Sequence, residues 1–336
     1  MSSPADEGFY MPAEWEAHAR CWMAWPCLPS SFPRMEVARD AFAVVAQAIA
    51  RFEPLTMIAN AWDAEDARRR CGDGIEILSV PINDSWTRDT GPTWLVDGRG
   101  NLAGVDWQFN AYGRVYEPYA DDDAIAARLL EESGARRFRA PITLEGGAIH
   151  SDGERTLLTT ENVVLNPNRG TDLSKSEAEK VFRDWLGADR VIWLDNALEV
   201  DSTDGHVDNL ACFARPGVVL ALSETDPLDP HHAPLQENLR RLRAARDASG
   251  RRLEIREIQQ PARREFEGDR IAMSYINFYI ANGAVVVPVF DDPADAPALE
   301  VLALAFPDRE IVPVPGLEIV KSEGCVHCIT QQQPLP

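Results

Sequence analysis

Apolar positions recur along the chain either with the period of a helix or in short runs typical of strands. Together these patterns predict short strands separated by amphipathic helices. In residues 34–52, Val37, Phe42, Val45 and Ile49 fall near one face of a helix. The helical period also predicts helices at Asp121–Ser133, Ser174–Leu186, Leu235–Ala248 and Pro297–Phe306. Short apolar runs predict strands at Leu55–Ala59, Ile75–Val80, Val191–Leu194, Leu253–Ile258, Ile271–Asn277 and Ile311–Val314.

The stretch Cys325–Thr330 places two thiols and a histidine among β-branched residues, a pattern that predicts a buried strand. Successive side chains of a strand point to opposite faces, so His327 and Cys328 would not act on the same atom. A nucleophilic Cys328 would therefore need an acid/base partner from another part of the chain.

Polar landmarks recur about once in 60 residues, which indicates a repeat architecture. They are Asp89, Glu145, His206, Tyr275 and Cys328. We predict a single α/β domain, residues 1–336, whose five units surround one axis and bring these landmarks together at the centre. Two doubly wound domains are the competing layout. The absence of a glycine-rich phosphate loop between a strand and a helix disfavours it.

The charge balance narrows the partners. Lys and Arg number 33 against 54 Asp and Glu, for a net charge of −21. Nucleic acid and anionic membranes are therefore poor partners, whereas a small cation is compatible. We expect a cytoplasmic protein, because the first residues lack a signal peptide and the six cysteines follow no disulfide pattern. The sequence does not define the oligomeric state; a homodimer or larger homo-oligomer is compatible with it.

The landmarks together contain a thiol, an imidazole and carboxylates. Asp89 and Asp208 are suited to hold a guanidinium group, which is planar, cationic and rich in N–H donors, with Glu145 as a third acid. Asp208 would share a face with His206 if that segment is extended. A bound cation would favour the thiolate of Cys328.

The chemistry that follows from this set is hydrolysis of a guanidine. Cys328 would attack the central carbon and form a covalent thiouronium. His206 would protonate the departing ammonia and then deprotonate a water, which releases a ureido product. We also assign Trp86 and Asp201 to substrate binding.

The ordered motifs of the chain resemble those of the agmatine deiminase family. They are Trp86–Pro92, Glu145–Gly147, Leu165–Arg169, Thr203–Asn209, Cys212–Gly217, Asn277–Gly283 and His327–Gln332. The resemblance extends from about Tyr10 to the last residues. It implies a pentein fold, which is a five-bladed α/β propeller with ββαβ-type repeats and pseudo-fivefold symmetry, and it implies no metal and no cofactor.

The resemblance also implies roles for individual residues. Cys328 would be the nucleophile and His206 the acid/base, while Asp89 and Asp208 bind the guanidinium and Glu145 supports the site. Agmatine would then be converted to N-carbamoylputrescine and ammonia, a step of putrescine and polyamine biosynthesis. The alternative on the same fold is a deiminase of peptidylarginine or of another arginine derivative.

Three positions depart from the family pattern. Glu323 and Cys325 precede the His-Cys pair where relatives commonly carry glycine and a small or amide residue. Ser202 stands where many relatives have an acid, so Glu199 or Asp201 is expected to replace it near the far end of the substrate.

Other functions remain open at this stage. Cys325 and Cys328 have the spacing of a redox or metal half-site, and a zinc site would draw further ligands from His206, Asp208 or His150. The same two cysteines are hypothesised to form a disulfide that inactivates the enzyme, although opposite strand faces disfavour that geometry. A non-catalytic binder of cationic amines is the remaining class.

Overall fold

A computed structural model of the chain describes residues 2–195, 198–199 and 201–336. Within these ranges the strands form five sheets of three or four strands and one two-stranded hairpin. Each of the five sheets combines an antiparallel strand pair with a parallel third strand. A helix precedes each parallel third strand, because a parallel neighbour is reached only by a crossover connection.

The units follow one another along the chain. The first contains β1 (His18–Ala24), α1 (Met35–Ala50), β2 (Leu55–Ala59), α2 (Ala64–Cys71) and β3 (Glu76–Ser79). The second contains α3 (Thr87–Thr90), β4 (Thr93–Val96), β5 (Leu102–Gln108), α4 (Ala111–Arg114), α5 (Ala120–Asp123), α6 (Ile125–Glu132) and β6 (Arg136–Thr143). The third contains β7 (Ile149–Ser151), β8 (Thr156–Thr160), α7 (Glu161–Val164), α8 (Lys175–Leu186) and β9 (Arg190–Leu194).

The later units repeat this order. The fourth contains β10 (Ala211–Arg215), β11 (Val218–Ser223), α9 (His232–Ala244) and β12 (Glu254–Gln259), followed by the hairpin of β13 (Glu265–Phe266) and β14 (Asp269–Arg270). The fifth contains β15 (Tyr279–Ala281), β16 (Ala284–Val289), α10 (Asp295–Ala305), β17 (Glu310–Pro315) and α11 (Leu317–Val320). Short 3₁₀ turns lie at Ala5–Glu7, Gly146–Ala148, Pro167–Arg169 and Val207–Asn209.

The last strand, β18 (Thr330–Pro334), returns to the first sheet and pairs antiparallel with β1. Trp22 lies opposite Gln331 in this pairing and donates its indole N–H to Oε1 of Gln333 at 3.0 Å. The first sheet therefore takes strands from two distant parts of the chain. This pairing fixes the turn that carries Cys328, because that turn leads directly into β18.

The largest apolar cluster packs α1 against the first and fifth sheets. It includes Phe42 and Val45 from α1, Met57 from β2, Val286 from β16 and Val314 from β17, all of which are buried. Removing these side chains from water supplies most of the driving force for joining the two sheets.

Two of the predicted strands are wrong. Residues 326–329 form a turn, closed by the Ile329 N–H to the Cys325 carbonyl at 3.2 Å, and the strand begins only at Thr330. Residues 271–277 also form no strand. Ser274 instead donates its hydroxyl to the Asn209 carbonyl at 2.7 Å, so side-chain to backbone bonding replaces a strand ladder.

The predicted helices are confirmed with altered ends. The predicted Asp121–Ser133 helix is divided into α5 and α6, and the helix predicted at Leu235–Ala248 begins at His232 and ends at Ala244. The capping box at Ser174 and Glu177 is present: the Ser174 hydroxyl accepts the Glu177 N–H at 3.3 Å, and Glu177 accepts the Ser174 N–H at 2.9 Å.

Candidate active site

Cys328 lies in the turn before β18 with only 5% of its surface exposed. Its Sγ accepts a hydrogen bond from Nδ2 of Asn277 at 3.1 Å and lies 3.5 Å from Oδ2 of Asp208. Oδ1 of Asn277 accepts the backbone N–H of His327 at 2.9 Å. Asn277 therefore fixes both the sulfur and the backbone that carries it.

Gly147 marks the point on which the predicted site side chains converge. A Cβ atom added there would lie 2.6 Å from Nδ1 of His206 and 2.9 Å from both Oδ2 of Asp208 and Oδ1 of Asp89. The three side chains thus pack directly against the α-carbon of Gly147. Any side chain at this position would displace them.

Asp89 is held from two sides at the end of the short helix α3. Its Oδ1 accepts the Gly147 N–H at 2.8 Å, and its Oδ2 accepts the Tyr112 hydroxyl at 2.9 Å. Burial raises the pKa of Asp89, and the neighbouring charge of Asp208 raises it further. A cation placed between Asp89 and Asp208 would lower the pKa of Asp89 again, because it stabilises the ionised carboxylate.

Glu145 precedes the 3₁₀ turn that contains Gly147. Its Oε1 accepts Nε–H of the buried Arg169 at 2.9 Å, and its Oε2 lies 3.8 Å from Nε2 of His206. Burial opposes ionisation of this carboxyl, but the charges of His206 and Arg169 outweigh burial and lower its pKa. Glu145 is therefore an anion directed at the imidazole.

His206 is fully buried between two acids. Nδ1 lies 3.7 Å from Oδ1 of Asp89, and Nε2 lies 3.8 Å from Glu145; neither ring nitrogen has a hydrogen-bond partner within the described residues. Burial alone would lower its pKa, but Asp89 first, and then Glu145 and Asp208, raise it to about 9. The resting imidazole is thus protonated at neutral pH and has room to engage a ligand.

The surrounding side chains do not activate the Cys328 thiol. Burial raises its pKa well above the usual range, and the anions Asp208 and Asp89 raise it further. Both carboxylates disfavour a further negative charge on the sulfur atom. A bound cation would compensate them and lower the thiol pKa.

Asp208 lies in a 3₁₀ turn, Val207–Asn209, so the extended geometry predicted for His206 and Asp208 is wrong. His327 donates Nδ1–H to Oδ2 of Asp208 at 2.9 Å, and Sγ of Cys328 lies 3.5 Å from the same oxygen. The turn at residues 326–329 therefore brings His327 and Cys328 to one carboxylate, where a strand would have separated them.

A cavity of about 370 Å³ lies next to this cluster. Trp86 and Tyr112 form its boundary with the site, and Ser202 and Glu323 also line it. Cys328 and His206 do not line this cavity; Tyr112 connects the two regions through its hydrogen bond to Asp89. The cavity is thus an outer chamber, and the reactive groups lie behind Trp86 and Tyr112.

Trp86 stacks on Phe32 with ring centroids 5.5 Å apart and donates its indole N–H to Asp84 at 3.0 Å. A Cβ at Gly324 would lie 2.4 Å from the Trp86 ring, so the backbone before Cys328 packs directly on the indole. Trp86 therefore lies between the outer chamber and the reactive turn.

Of the two acids expected to replace the missing acid at Ser202, Asp201 is engaged through one oxygen. Its Oδ1 accepts the N–H of Thr203 at 2.9 Å and the Thr203 hydroxyl at 2.5 Å, whereas its buried Oδ2 has no hydrogen-bond partner within the described residues. Glu199 lies 3.6 Å from Nη1 of Arg270. Within the described residues, the carboxylate that meets Ser202 at the cavity belongs to Glu323.

Four residues of the site were not predicted from the sequence: Tyr112, Arg169, Asn277 and His327. Arg169 and Asn277 belong to motifs shared with the agmatine deiminase family but carry no acid, imidazole or thiol, so nothing in the sequence assigned them a role. Tyr275, the fourth landmark, donates its hydroxyl to Asp295 at 2.6 Å, and the fifth unit reaches Cys328 through Asn277 instead.

Cys325 and Cys328 are both free thiols, with the Cys325 sulfur 3.8 Å from the Gly316 carbonyl. In the ranges that the structure describes, no three His, Cys, Asp or Glu side chains form a group suited to a metal ion. No helix in those ranges combines the length and apolar character needed to cross a bilayer.

A sequence profile of the Porphyromonas-type peptidyl-arginine deiminase family matches residues 10–334. The chain belongs to this family. It is 46% identical to agmatine deiminase of Pseudomonas aeruginosa (strain UCBPP-PA14), an alignment that covers 100% of this chain and 98% of the relative. The predicted resemblance to agmatine deiminases is thereby confirmed.

Solved structures of the family agree with the fold. The agmatine deiminase of Enterococcus faecalis superposes with a TM-score of 0.96 at 35% identity, covering 100% of this chain and 98% of that one. A C. jejuni agmatine deiminase, a cysteine-to-serine variant with substrate bound, gives a TM-score of 0.88 at 26% identity over 97% and 96% of the two chains. A dimethylarginine dimethylaminohydrolase, 13% identical with a TM-score of 0.55, shares the α/β pentein fold alone.

Proposed function

We propose that the chain is an agmatine deiminase, which hydrolyses the guanidinium group of agmatine to N-carbamoylputrescine and ammonia. The observation that carries the proposal is the convergence of Asp89, Asp208 and His206 on the space beside Gly147, with Sγ of Cys328 3.5 Å from Asp208. The agmatine deiminases that resemble the whole chain support the choice of agmatine.

The guanidinium binds between Asp89 and Asp208, with Glu145 as the third acid. A planar cation with several N–H donors is satisfied by carboxylates from two sides. Oδ1 of Asp208 has no hydrogen-bond partner within the described residues, which leaves it available to the substrate. The cation also offsets the two anions that keep Cys328 protonated, so binding lowers the thiol pKa and the thiol releases its proton to bulk water.

The thiolate of Cys328 attacks the central guanidinium carbon, and a carbon–sulfur bond forms. The carbon–nitrogen bond to one terminal nitrogen then breaks, and that nitrogen leaves as ammonia with a proton from His206. The pKa of His206, about 9, makes it a proton donor at neutral pH. The product of this half-reaction is an S-alkylthiouronium on Cys328.

The second half-reaction uses His206 as a base. The now neutral imidazole takes a proton from a water that attacks the thiouronium carbon. The carbon–sulfur bond breaks, the thiolate of Cys328 is regenerated and the ureido product leaves. Glu145, 3.8 Å from Nε2 of His206, stabilises the imidazolium that forms again.

The proposal takes residues 1–336 as one catalytic domain, a five-bladed α/β propeller with the site on its axis. Five sheets with the same strand pattern, the last strand returning to the first sheet, support that arrangement. The outer cavity would hold the aminobutyl tail, with Trp86 against its methylene groups. A cytoplasmic location goes with this proposal and is supported by the six free cysteines.

A colorimetric assay for ureido products tests the function. Purified protein is incubated with agmatine, free arginine, methylated arginines and arginyl peptides, and kcat/KM is compared. We expect agmatine to give the highest value. Preference for arginyl peptides would assign the chain to peptidylarginine deimination instead, and no ureido product from any of them would overturn guanidine hydrolysis.

A further inference from the structure

His327 joins two buried carboxylates beneath the site. Nδ1 lies 2.9 Å from Oδ2 of Asp208, and Nε2 lies 3.0 and 3.1 Å from the two oxygens of Glu14. An ionised carboxylate only accepts hydrogen bonds, so both ring nitrogens of His327 must donate. The geometry therefore requires an imidazolium rather than a neutral ring.

Neighbouring groups keep Glu14 ionised in this buried position. Nη1 of Arg88 lies 3.3 Å from Oε1, and Nε2 of His150 lies 3.6 Å from Oε2. Nδ1 of His150 accepts the Phe213 N–H at 3.3 Å, which directs the remaining Nε2–H of a neutral His150 ring at Glu14. Burial opposes the charge, but His327 and then Arg88 lower the pKa of Glu14 well below its usual range.

The same layer fixes the reactive turn. The backbone N–H of Arg88 donates to the Cys328 carbonyl at 3.1 Å, and Nε of Arg88 donates to the His327 carbonyl at 3.4 Å. Nη1 of Arg88 donates to Oε1 of Gln331 at 2.7 Å. Glu14, Arg88 and His327 thus fix the position of Asp208 relative to the turn that carries Cys328.

We propose that Glu14 and His327 are positioning residues: Glu14 holds a permanent imidazolium at His327, which locks Asp208 through Oδ2 and leaves Oδ1 without a protein partner. This proposal rests on the proposed deiminase function for its kinetic consequence. His206 is then the histidine that moves protons, and His327 is the histidine that keeps its protons.

A purely structural ion cluster would have the same contacts, so the test needs a property that only positioning of Asp208 changes. The charged and titratable groups that interact with Asp208 are His327, His206, Arg88, Asp89, Asp201, Cys212, Cys325 and Cys328. Removing the charge of Glu14 makes the second proton on His327 less favourable. The positive charge that stabilises the Asp208 carboxylate is then partly lost. The pKa of Asp208 then rises, and substrate binding fails at a higher pH than in the wild type.

Glu14→Gln keeps a hydrogen-bonding amide of the same size and removes the charge. Glu53→Gln is the matched control, because Glu53 pairs with the buried His18 at 3.2 Å, and His18 contacts the backbone carbonyl of Glu14 rather than its carboxylate. We expect Glu14→Gln to raise KM for agmatine about tenfold and to move the acid limb of kcat/KM upward by about one pH unit. Glu53→Gln should lower thermal stability and leave the pH profile unchanged. Equal pH profiles in the two variants would overturn the proposal.

A spectroscopic measurement on the resting enzyme separates this inference from the proposed function. In protein labelled with ¹⁵N-histidine at pH 7.5, we expect two rings with both nitrogens protonated, those of His206 and His327, and only the His327 ring should disappear from the spectrum of His327→Gln. A single protonated nitrogen on His327 would refute the permanent imidazolium. This readout needs no turnover, so it holds even if agmatine is not the substrate, and wild-type protein suffices if Glu14→Gln does not fold.

Discussion

The backbone N–H of Ser202 donates a hydrogen bond to Oε2 of Glu323 at 3.0 Å. Two departures from the family pattern, a missing acid and an additional acid, therefore meet at the wall of the outer cavity. Glu323 adopts a positive φ of 69°, a conformation disfavoured for a residue with a side chain. The contact to Ser202 holds the carboxylate in place despite that cost.

Glu323→Gln should weaken recognition of the substrate's terminal amine. The expected result is a three- to tenfold rise in KM for agmatine with little change in kcat, since a partly exposed ion pair contributes about 1 kcal/mol. Steady-state kinetics measure both constants. Glu318→Gln is the control, because Glu318 pairs with Lys321 and Arg34 and should leave KM unchanged. A fall in kcat without a change in KM would assign Glu323 another role.

Gly147→Ala should abolish turnover by displacing the side chains of His206, Asp89 and Asp208. The added methyl would lie 2.6 Å from Nδ1 of His206, and we expect kcat/KM to fall by at least about 100-fold, since small displacements of reacting groups are costly. Gly104→Ala, whose Cβ would lie 2.6 Å from Leu130 in the core, is the matched control. It should lower the melting temperature and retain activity per folded molecule. Comparable activity in the two variants would contradict the role assigned to the three side chains that pack on Gly147.

Stability should depend on the protonation of His206. Its pKa is about 9 in the folded chain and near 6.5 when unfolded, so the folded state binds the proton more tightly. This contribution, about 3 kcal/mol, is complete below pH 6.5 and is lost as pH rises toward 9. Urea unfolding of wild type and His206→Asn at pH 6 and pH 9 measures it. The advantage of the wild type should shrink across that range, and a constant difference would exclude a raised pKa.

Cys328→Ser should bind agmatine without converting it. The hydroxyl is a far weaker nucleophile than a thiolate, while Asp89 and Asp208 remain to hold the cation. Isothermal calorimetry should give a dissociation constant within about tenfold of the wild-type KM, with no ureido product. Cys71→Ser serves as the control, because this buried thiol lies at the end of α2 and its variant should keep turnover. Full turnover by Cys328→Ser would remove sulfur from the mechanism.

The proposed disulfide between Cys325 and Cys328 stays a prediction. Each sulfur has its own neighbours, Gly316 for Cys325 and Asn277 for Cys328. Oxidation would have to break the Asn277 contact. Peroxide inactivation that a thiol reductant reverses in the wild type but not in Cys325→Ala would support the disulfide, and equal reversal in both would exclude it.

The sequence was most informative for reactive side chains that stand beside turn-forming residues. Asp89, Glu145, His206 and Cys328 stand out because an acid, an imidazole or a thiol beside turn residues has few purely structural uses. The strand pairs of the sheets likewise follow from local apolar runs, such as Leu55–Ala59, which is observed with the predicted bounds.

The prediction failed where distant contacts determine the backbone. The apolar character of residues 326–329 suggested a strand, but Asn277 accepts the His327 N–H and turns the chain instead. Glu14 and Asn277 carry no local signal, because their partners lie 313 and 51 positions away. One sequence does not contain that information in its local pattern.

The pairing of β18 with β1 also orders events during folding. This contact joins residues separated by most of the chain, and contacts of high sequence separation form late because loop closure costs entropy. We therefore expect a chain that has folded its other sheets to hold Asp89 and His206 before Cys328 is docked. Enzymatic activity would then report this docking step.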